Sequence, residues 1–167
     1  MAVSLRPHPI VPGSQVLAYG AARGDLEVPN DDLVGPIDSS DEWIRKRTGI
    51  VTRTRASKDV GVKDLSLTAA REAIETSGIE LEALDAIIVS TISFPYPTPS
   101  LATLLAGELG RPDVIAYDIS AACAGFCYGI GQADALIRSG SARNVLVIGA
   151  EKLSDFVSPT DRSISFL

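Results

Sequence analysis

Cys123 is the residue whose type and setting could make and break a covalent bond. It lies in ISAACAGFCY (119–128), a charge-free stretch rich in Ala and Gly, directly after the strand-like run VIAYD. The thiolate is the reactive form of cysteine. A helix N-terminus favours it through unpaired N–H groups and the helix dipole. The same N–H groups can stabilise an oxyanion during acyl transfer. Gly125 allows a substrate carbonyl to approach closely, and open α/β sheets form their sites at the carboxyl ends of strands. A second reading stands beside this one: free cysteine is among the most buried residue types and packs as a small apolar group. Cys127, one helical turn further on, reads as packing. A cysteine nucleophile needs a base or a charge-stabilising partner. The only histidine, His8, falls in a proline-rich N-terminal tail, so the chain offers a candidate nucleophile without a base.

Other chemistries are excluded by composition. The two cysteines are too few for a disulfide framework and lack CxxC spacing, and a single histidine excludes a Cys/His cluster, so no metal is expected. A net charge of −6 argues against non-specific binding to nucleic acid. Local clusters, Arg45-Lys46-Arg47 and Arg53 with Arg55, could still hold an anion. A glycine-rich dinucleotide loop is a weaker alternative, because Gly125, Gly129 and Gly131 do not form GxGxxG and fall inside a helix, where they allow close packing. With 167 residues, 46% of them apolar, the chain suits one globular domain. MAVSLRPHPIVPGSQ has no apolar signal core and no charge-free run approaches a membrane span, so a reducing, cytoplasmic setting fits.

The elements that must position Cys123 alternate. Residues 1–14 read as a tail, QVLAYG (15–20) as a first strand, and the acidic stretch through Pro36 as loop. Ser39 or Ser40 caps a short helix, DEWIRKR, which stops at Gly49. Residues 51–61 read as an exposed connection and 64–77 as a helix capped by Asp64, with Leu67, Ala70, Ala73, Ile74 and Ser77 on one face. AIIVSTI (86–92), VIAYDIS (114–120) and NVLVIGAE (144–151) read as buried strands. Helices over 101–110 and 123–139 separate them, SFPYPTPS (93–100) is a stiff loop, and SISFL (163–167) begins a further strand. This βαβ spacing predicts a layered α/β architecture around a mostly parallel sheet. Ending on an apolar strand without a closing helix, the chain reads as one half of a larger architecture.

Three segments carry a family resemblance. AACAGF (121–126) resembles the nucleophile segment of the β-ketoacyl-acyl carrier protein synthase III family, in the thiolase superfamily. IDSSDEWIRKRTGI (37–50) is similar to its coenzyme A-binding segment, and SPTDR (158–162) to a later segment that meets the same ligand. The resemblance spans nearly all of residues 15–167. It implies a five-layer thiolase fold of two similar halves, of which this is the N-terminal one. It also implies the family's reaction, in which an acyl group passes from acyl-coenzyme A to Cys123. Decarboxylation of malonyl-acyl carrier protein then gives a carbanion-like species that attacks the acyl-enzyme, yielding 3-oxoacyl-acyl carrier protein. Acyl-coenzyme A is thus a substrate and no cofactor is implied. By the same match the N–H of Cys123 forms part of an oxyanion hole, and a histidine and an asparagine come from the other half. Trp43 matches a residue that stacks on adenine, Arg47 and Arg162 match arginines around the nucleotide, and Ser39 sits near the same ligand. Their bland counterparts are a Trp anchoring a small helix, surface ion pairs with Asp41 or Glu151, and a helix cap. Thr98 stands where some relatives carry a phenylalanine that closes the acyl pocket across a dimer interface, which implies room for longer or branched primers. Ser163 replaces a glycine common in relatives. A homodimer is implied as well. Two alternatives remain: a polyketide primer-loading synthase or acyltransferase of the same superfamily, and a non-catalytic acyl-coenzyme A-binding or dimerisation module.

Overall fold

The run Ala86–Ser90 (β3 below) is β-branched at its centre, and each of its residues is buried. Such a strand needs cover on both faces and partners on both edges. A computed structural model, which describes residues 13–167, supplies all four. The elements in chain order are β1 (Leu26–Pro29), α1 (Asp31–Val34), α2 (Asp41–Thr48), β2 (Thr52–Arg55), α3 (Val62–Ser77), β3 (Ala86–Ser90), α4 (Leu101–Glu108), β4 (Ile115–Ile119), α5 (Gly125–Ser139) and β5 (Val145–Gly149). The main sheet has the order β4-β3-β5, with both pairs parallel and Ala86 in register with Ile115 and Val145. Ile87 and Val89 point to one face, where α3 and α4 bury them with Val62, Ala70, Leu101, Leu105 and Ile148. Each isoleucine removed from water there contributes about 1.5–3 kcal/mol.

The other face carries α5, which approaches the sheet through Gly125, Gly129 and Ala133, four residues apart and buried. A Cβ on Gly129 would come within 2.8 Å of Val147 Cγ1. Gly131 has no such role, because a Cβ there would meet open space. The outer side of α5 is exposed, Phe126, Tyr128 and Ile130 included. Cys127 is exposed with them, contrary to its expected packing. The flanking strands are less enclosed than their apolar sequences suggest. Each is a sheet edge among the described residues, and Ile115 on β4 is 41% exposed.

A second unit lies outside the sheet. β1 pairs antiparallel with β2, placing strands where the sequence suggested acidic loop and exposed connection. The alternation TRTR is the period-two signal that the surrounding polarity hid. This ribbon and α2 enclose a small core of Leu33, Ile37 and Ile44, joined by Val28, Trp43, Ile50 and Phe166. Helix α2 is built as its ends predict. Ser40, not Ser39, caps it by accepting from Trp43 N at 3.1 Å, and Gly49 closes it at φ 75°. Helix α3 starts two residues earlier than expected, with Gly61 as N-cap and Asp64 accepting from Gly61 N at 2.8 Å.

Two expected strands are absent. Residues 15–20 find no ladder partner among the described residues. Gly20 lies against the α3 backbone, where a Cβ would sit 2.2 Å from Ala69 O, and Ala21 N donates to Glu72 Oε2 at 2.8 Å. Val16 and Tyr19 consequently stay exposed. Residues 163–167 form successive turns, because Asp161 Oδ1 accepts from Ser163 N (2.9 Å) and Ser163 Oγ (2.6 Å), and Ile164 N and Ser165 N return to Asp161 O. Of the expected tail, residues 1–12 and with them His8 lie outside the described residues; Ser14 is tied to α5 through Asp134 Oδ1 (Oγ 3.0 Å).

Candidate active site

The ends of the three parallel strands are drawn level by backbone bonds, Thr91 N to Ile119 O and Ala150 N to Ser90 O, both 3.1 Å. From this edge the chain leaves β4 and reverses into α5. Ala122 makes the reversal at φ 45°, a region that a non-glycine residue enters at a cost of order 1–3 kcal/mol. Residues Ala122–Ala124 form a 3-10 turn and α5 begins at Gly125, so Cys123 stands just ahead of the helix and not within it as expected. The thiol is exposed. Core packing, the bland reading of Cys123, therefore does not describe it. Gly125 is pressed onto β3, and a Cβ built there would fall 1.8 Å from Ser90 Oγ. No side chain caps the first turn of α5, which leaves N–H dipoles free to face negative charge beside the thiol.

Across the same strand ends, Glu151 accepts from Ile92 N (2.9 Å), Thr91 Oγ1 (3.4 Å) and Ser93 Oγ. Ser93 Oγ accepts from Lys152 N at 2.9 Å, and the buried Lys152 side chain donates to Ser57 O at 3.0 Å and pairs with Asp155 at 3.2 Å. This network fixes the base of the loop that carries Thr98. Thr98 itself is exposed, with no hydrogen bond to its side chain among the described residues.

A separate open cleft of about 490 Å³ is lined by Trp43, Arg47, Thr48, Arg162, Ser163 and Phe166. The Arg47 guanidinium carbon lies 4.5 Å from the indole centroid and that of Arg162 5.0 Å, both in cation–π range. Phe166 meets the indole edge-to-face at 5.7 Å. Neither arginine forms an ion pair among the described residues. Asp41 instead binds Arg45 (2.6 Å) and Glu151 the loop base, so the ion pairs first considered for Arg47 and Arg162 do not form. Two cationic planes beside one aromatic plane suit a nucleotide, whose base stacks and whose phosphates pair.

The structure thus brings Arg162 against Trp43 and Arg47, which lie one helical turn apart on α2. Ser39 does not join them, and its hydroxyl is enclosed without a partner. Arg53 and Arg55 face the backbone instead: Arg53 donates to Val28 O and Phe166 O, and Arg55 to Ser165 O. Thr48, Ser163 and Phe166 were missed. An aromatic residue four positions after Arg162 in a turn-forming stretch was the available signal for Phe166.

Comparison with known proteins places this geometry in a class. The model of the 3-oxoacyl-[acyl-carrier-protein (ACP)] synthase III family matches residues 117–167. A β-ketoacyl-[acyl-carrier-protein] synthase III from Kocuria rhizophila is 60% identical over 154 residues, covering 92% of this chain and 43% of that protein. One from Tropheryma whipplei (strain Twist) is 49% identical, covering 92% and 48%. Among solved structures, the synthase III of Aquifex aeolicus superposes with TM-score 0.86 at 42% identity, covering 90% of this chain and 49% of that one. The priming β-ketosynthase of the R1128 polyketide biosynthetic pathway does so with TM-score 0.89 at 38% identity, covering 96% and 49%. The chain spans about half the length of the curated relatives it matches. A parallel sheet between helical layers, with a cysteine turn at its carboxyl edge, is one half of a thiolase-type fold. The chain is similar to the N-terminal half of β-ketoacyl-[acyl-carrier-protein] synthase III proteins.

Proposed function

We propose that this chain supplies the acyl-accepting cysteine and the coenzyme A cleft of a decarboxylating condensing enzyme that initiates fatty acid synthesis. The observation that carries the reading is the exposed Cys123, presented by the Ala122 reversal and the Gly125–Ser90 contact at the carboxyl edge of the sheet. The Cys123 thiolate attacks the thioester carbonyl of acyl-coenzyme A. The tetrahedral oxyanion faces the backbone N–H groups of the turn, collapses, and expels the coenzyme A thiolate, leaving acyl-Cys123. Trp43 stacks on the adenine while Arg47 and Arg162 meet its phosphates. Malonyl-acyl carrier protein then loses carbon dioxide, and the carbanion so formed attacks the acyl-enzyme. Cys123 leaves as thiolate and 3-oxoacyl-acyl carrier protein is released. That second step draws on a histidine and an asparagine of the other half. Thr98, smaller than phenylalanine, leaves room for primers longer than acetyl. The complete enzyme works as a homodimer, a reading supported by the free edge of β4, and no described helix is long and apolar enough to cross a membrane.

Likeness to a priming ketosynthase favours a second reading, in which the primed product enters a polyketide chain. Intact mass after incubation with a panel of acyl-coenzyme A thioesters tests both, on this chain alone and with the other half added. An acyl adduct present in the native protein and absent in Cys123→Ala supports acyl transfer, and the adduct's length names the primer class. A folded protein that gains no adduct even with the other half present leaves only the binding-module reading.

A further inference from the structure

The cleft at Trp43 is assembled from α2 and the segment Arg162–Phe166, and one side chain outside it holds the supports of both. Arg53, on β2, donates through Nη1 to Val28 O (3.0 Å) and through Nη2 to Asn30 Oδ1 (2.6 Å) and Phe166 O (2.8 Å). Asn30 is 1% exposed. Its Nδ2 donates to Asp41 Oδ1 (2.7 Å), at the start of α2, and to Ile50 O (2.9 Å), just past its end. Arg55, two residues along the same strand face, donates to Ser165 O at 2.8 Å. Among the described residues neither Arg53 nor Arg55 has a carboxylate partner. Two neighbouring guanidinium groups therefore spend their hydrogen bonds on an amide and on main-chain carbonyls. Burial, and then the charge of Arg55, hold the Arg53 pKa below its ordinary value, which marks the cost of keeping that charge here.

We propose that Arg53 is a positioning residue for coenzyme A: through Phe166 O and Asn30 it sets the Arg162–Phe166 segment against Trp43, so that the cleft exists before the nucleotide arrives. A forked, planar donor ties the Val28–Asn30 segment to Phe166 at fixed angles, which a freely rotating lysine ammonium does less well. A preformed cleft binds more tightly because less ordering remains to be done on binding. The inference rests on the coenzyme A reading and extends it to a residue that touches no ligand.

The test is titration with coenzyme A itself, followed by the fluorescence of Trp43, the single tryptophan. Iodoacetamide alkylation of Cys123, read by peptide mass, serves as the second measurement. Arg53→Lys keeps the charge and loses the fork; its coenzyme A Kd should rise roughly tenfold, with the alkylation rate of Cys123 unchanged. An unchanged Kd, or a Kd that rises only together with faster Cys123 alkylation, overturns the proposal, since the second pattern is general loosening. Arg55→Lys, which keeps the charge and loses the planar fork that meets Ser165 O, decides the matter if Arg53→Lys does not fold: a Kd raised about two- to threefold supports the positioning role and an unchanged one overturns it. A native protein that does not bind coenzyme A instead overturns the reading on which the inference stands.

Discussion

At Cys123 the shape comes from the main chain. Ala122 turns it at positive φ, Gly125 lies on Ser90, and residues 119–127 carry no carboxylate, guanidinium or imidazole. At Trp43 the shape comes from side chains. Arg47, Arg162 and Phe166 surround an indole, and Arg53, Asn30 and Asp41 brace them from behind. The two regions face different tasks. An acyl carbonyl needs close approach and N–H dipoles, so small residues and a sharp turn suffice. A nucleotide needs stacking area and fixed cations, which only long side chains supply, and these must be ordered against their entropy. The first region should therefore fail through added bulk and the second through lost contacts.

The largest effect should come from bulk at the turn. Gly125→Ala drives a methyl group into Ser90 Oγ. Overpacking of this kind costs about 1–3 kcal/mol of stability. Misplacing the reacting sulfur by about an ångström lowers acyl transfer by about a hundredfold. Adding Ser90→Gly should recover much of both, measured by thermal melting and by the rate of adduct formation. No recovery would mean that the turn does not depend on this contact.

Removing an aromatic face should act on the cleft alone. Trp43→Ala is expected to weaken coenzyme A by about 1–3 kcal/mol, as loss of a stacking partner does, by calorimetric titration. Iodoacetamide should label Cys123 as fast as before. Parallel loss at Cys123 would show that the two regions are not built independently.

How much of this was legible in the sequence divides along the same line. The turn was found because its logic is local: a strand, a small-residue stretch and a cysteine in one ten-residue window. The detail that Cys123 precedes α5 in a 3-10 turn was not legible, since positive φ at an alanine is imposed by its surroundings. The α2 caps were legible for the same local reason. Trp43 and Arg47 share one face of α2, but their meeting with Arg162 was found only through family resemblance, because nothing local joins residues more than a hundred positions apart. Phe166 was missed, and Arg53 read as a holder of anions, because their roles depend on a turn and a ribbon whose sequences, SISFL and TRTR, read as strand and loop. The segment 15–20 failed as a strand for a related reason: an apolar alternation specifies a strand only where a partner lies beside it, and here α3 does.

A smaller effect separates two glycines of one helix. Gly131→Ala meets nothing within 4 Å on an exposed helical position. It should stabilise the protein by about 0.5–1 kcal/mol, through the lower entropy of the unfolded chain and the better helix propensity of alanine. The rise in Tm should come with no change at Cys123 or in coenzyme A affinity. A fall in Tm would show that the outer face of α5 is closer to other atoms than it stands here.

The smallest effect is electrostatic and belongs to the cleft. Asp41 accepts from Arg45 Nε (2.6 Å) and from Asn30 Nδ2 (2.7 Å). The Arg45 hydrogen bond, and after it that of Asn30, hold its pKa below the ordinary 3.8. A carboxylate lowered on folding stabilises the folded state fully above its unfolded value, and that contribution is lost as pH falls through the folded one. Asp41→Asn should therefore melt below the native protein at neutral pH, with the difference shrinking as pH drops below 3.8. Added salt should also narrow it, because the Arg45 pair is solvent-exposed. Near-UV circular dichroism of Trp43 should follow the same course, since Asn30 links Asp41 to Arg53 and so to the segment under the indole. No equivalent acid-dependent change is expected at the turn, whose residues 119–127 contain no carboxyl group. A difference between the two proteins that persists undiminished in acid would assign the Asp41 effect to packing and remove charge from the bracing of the cleft.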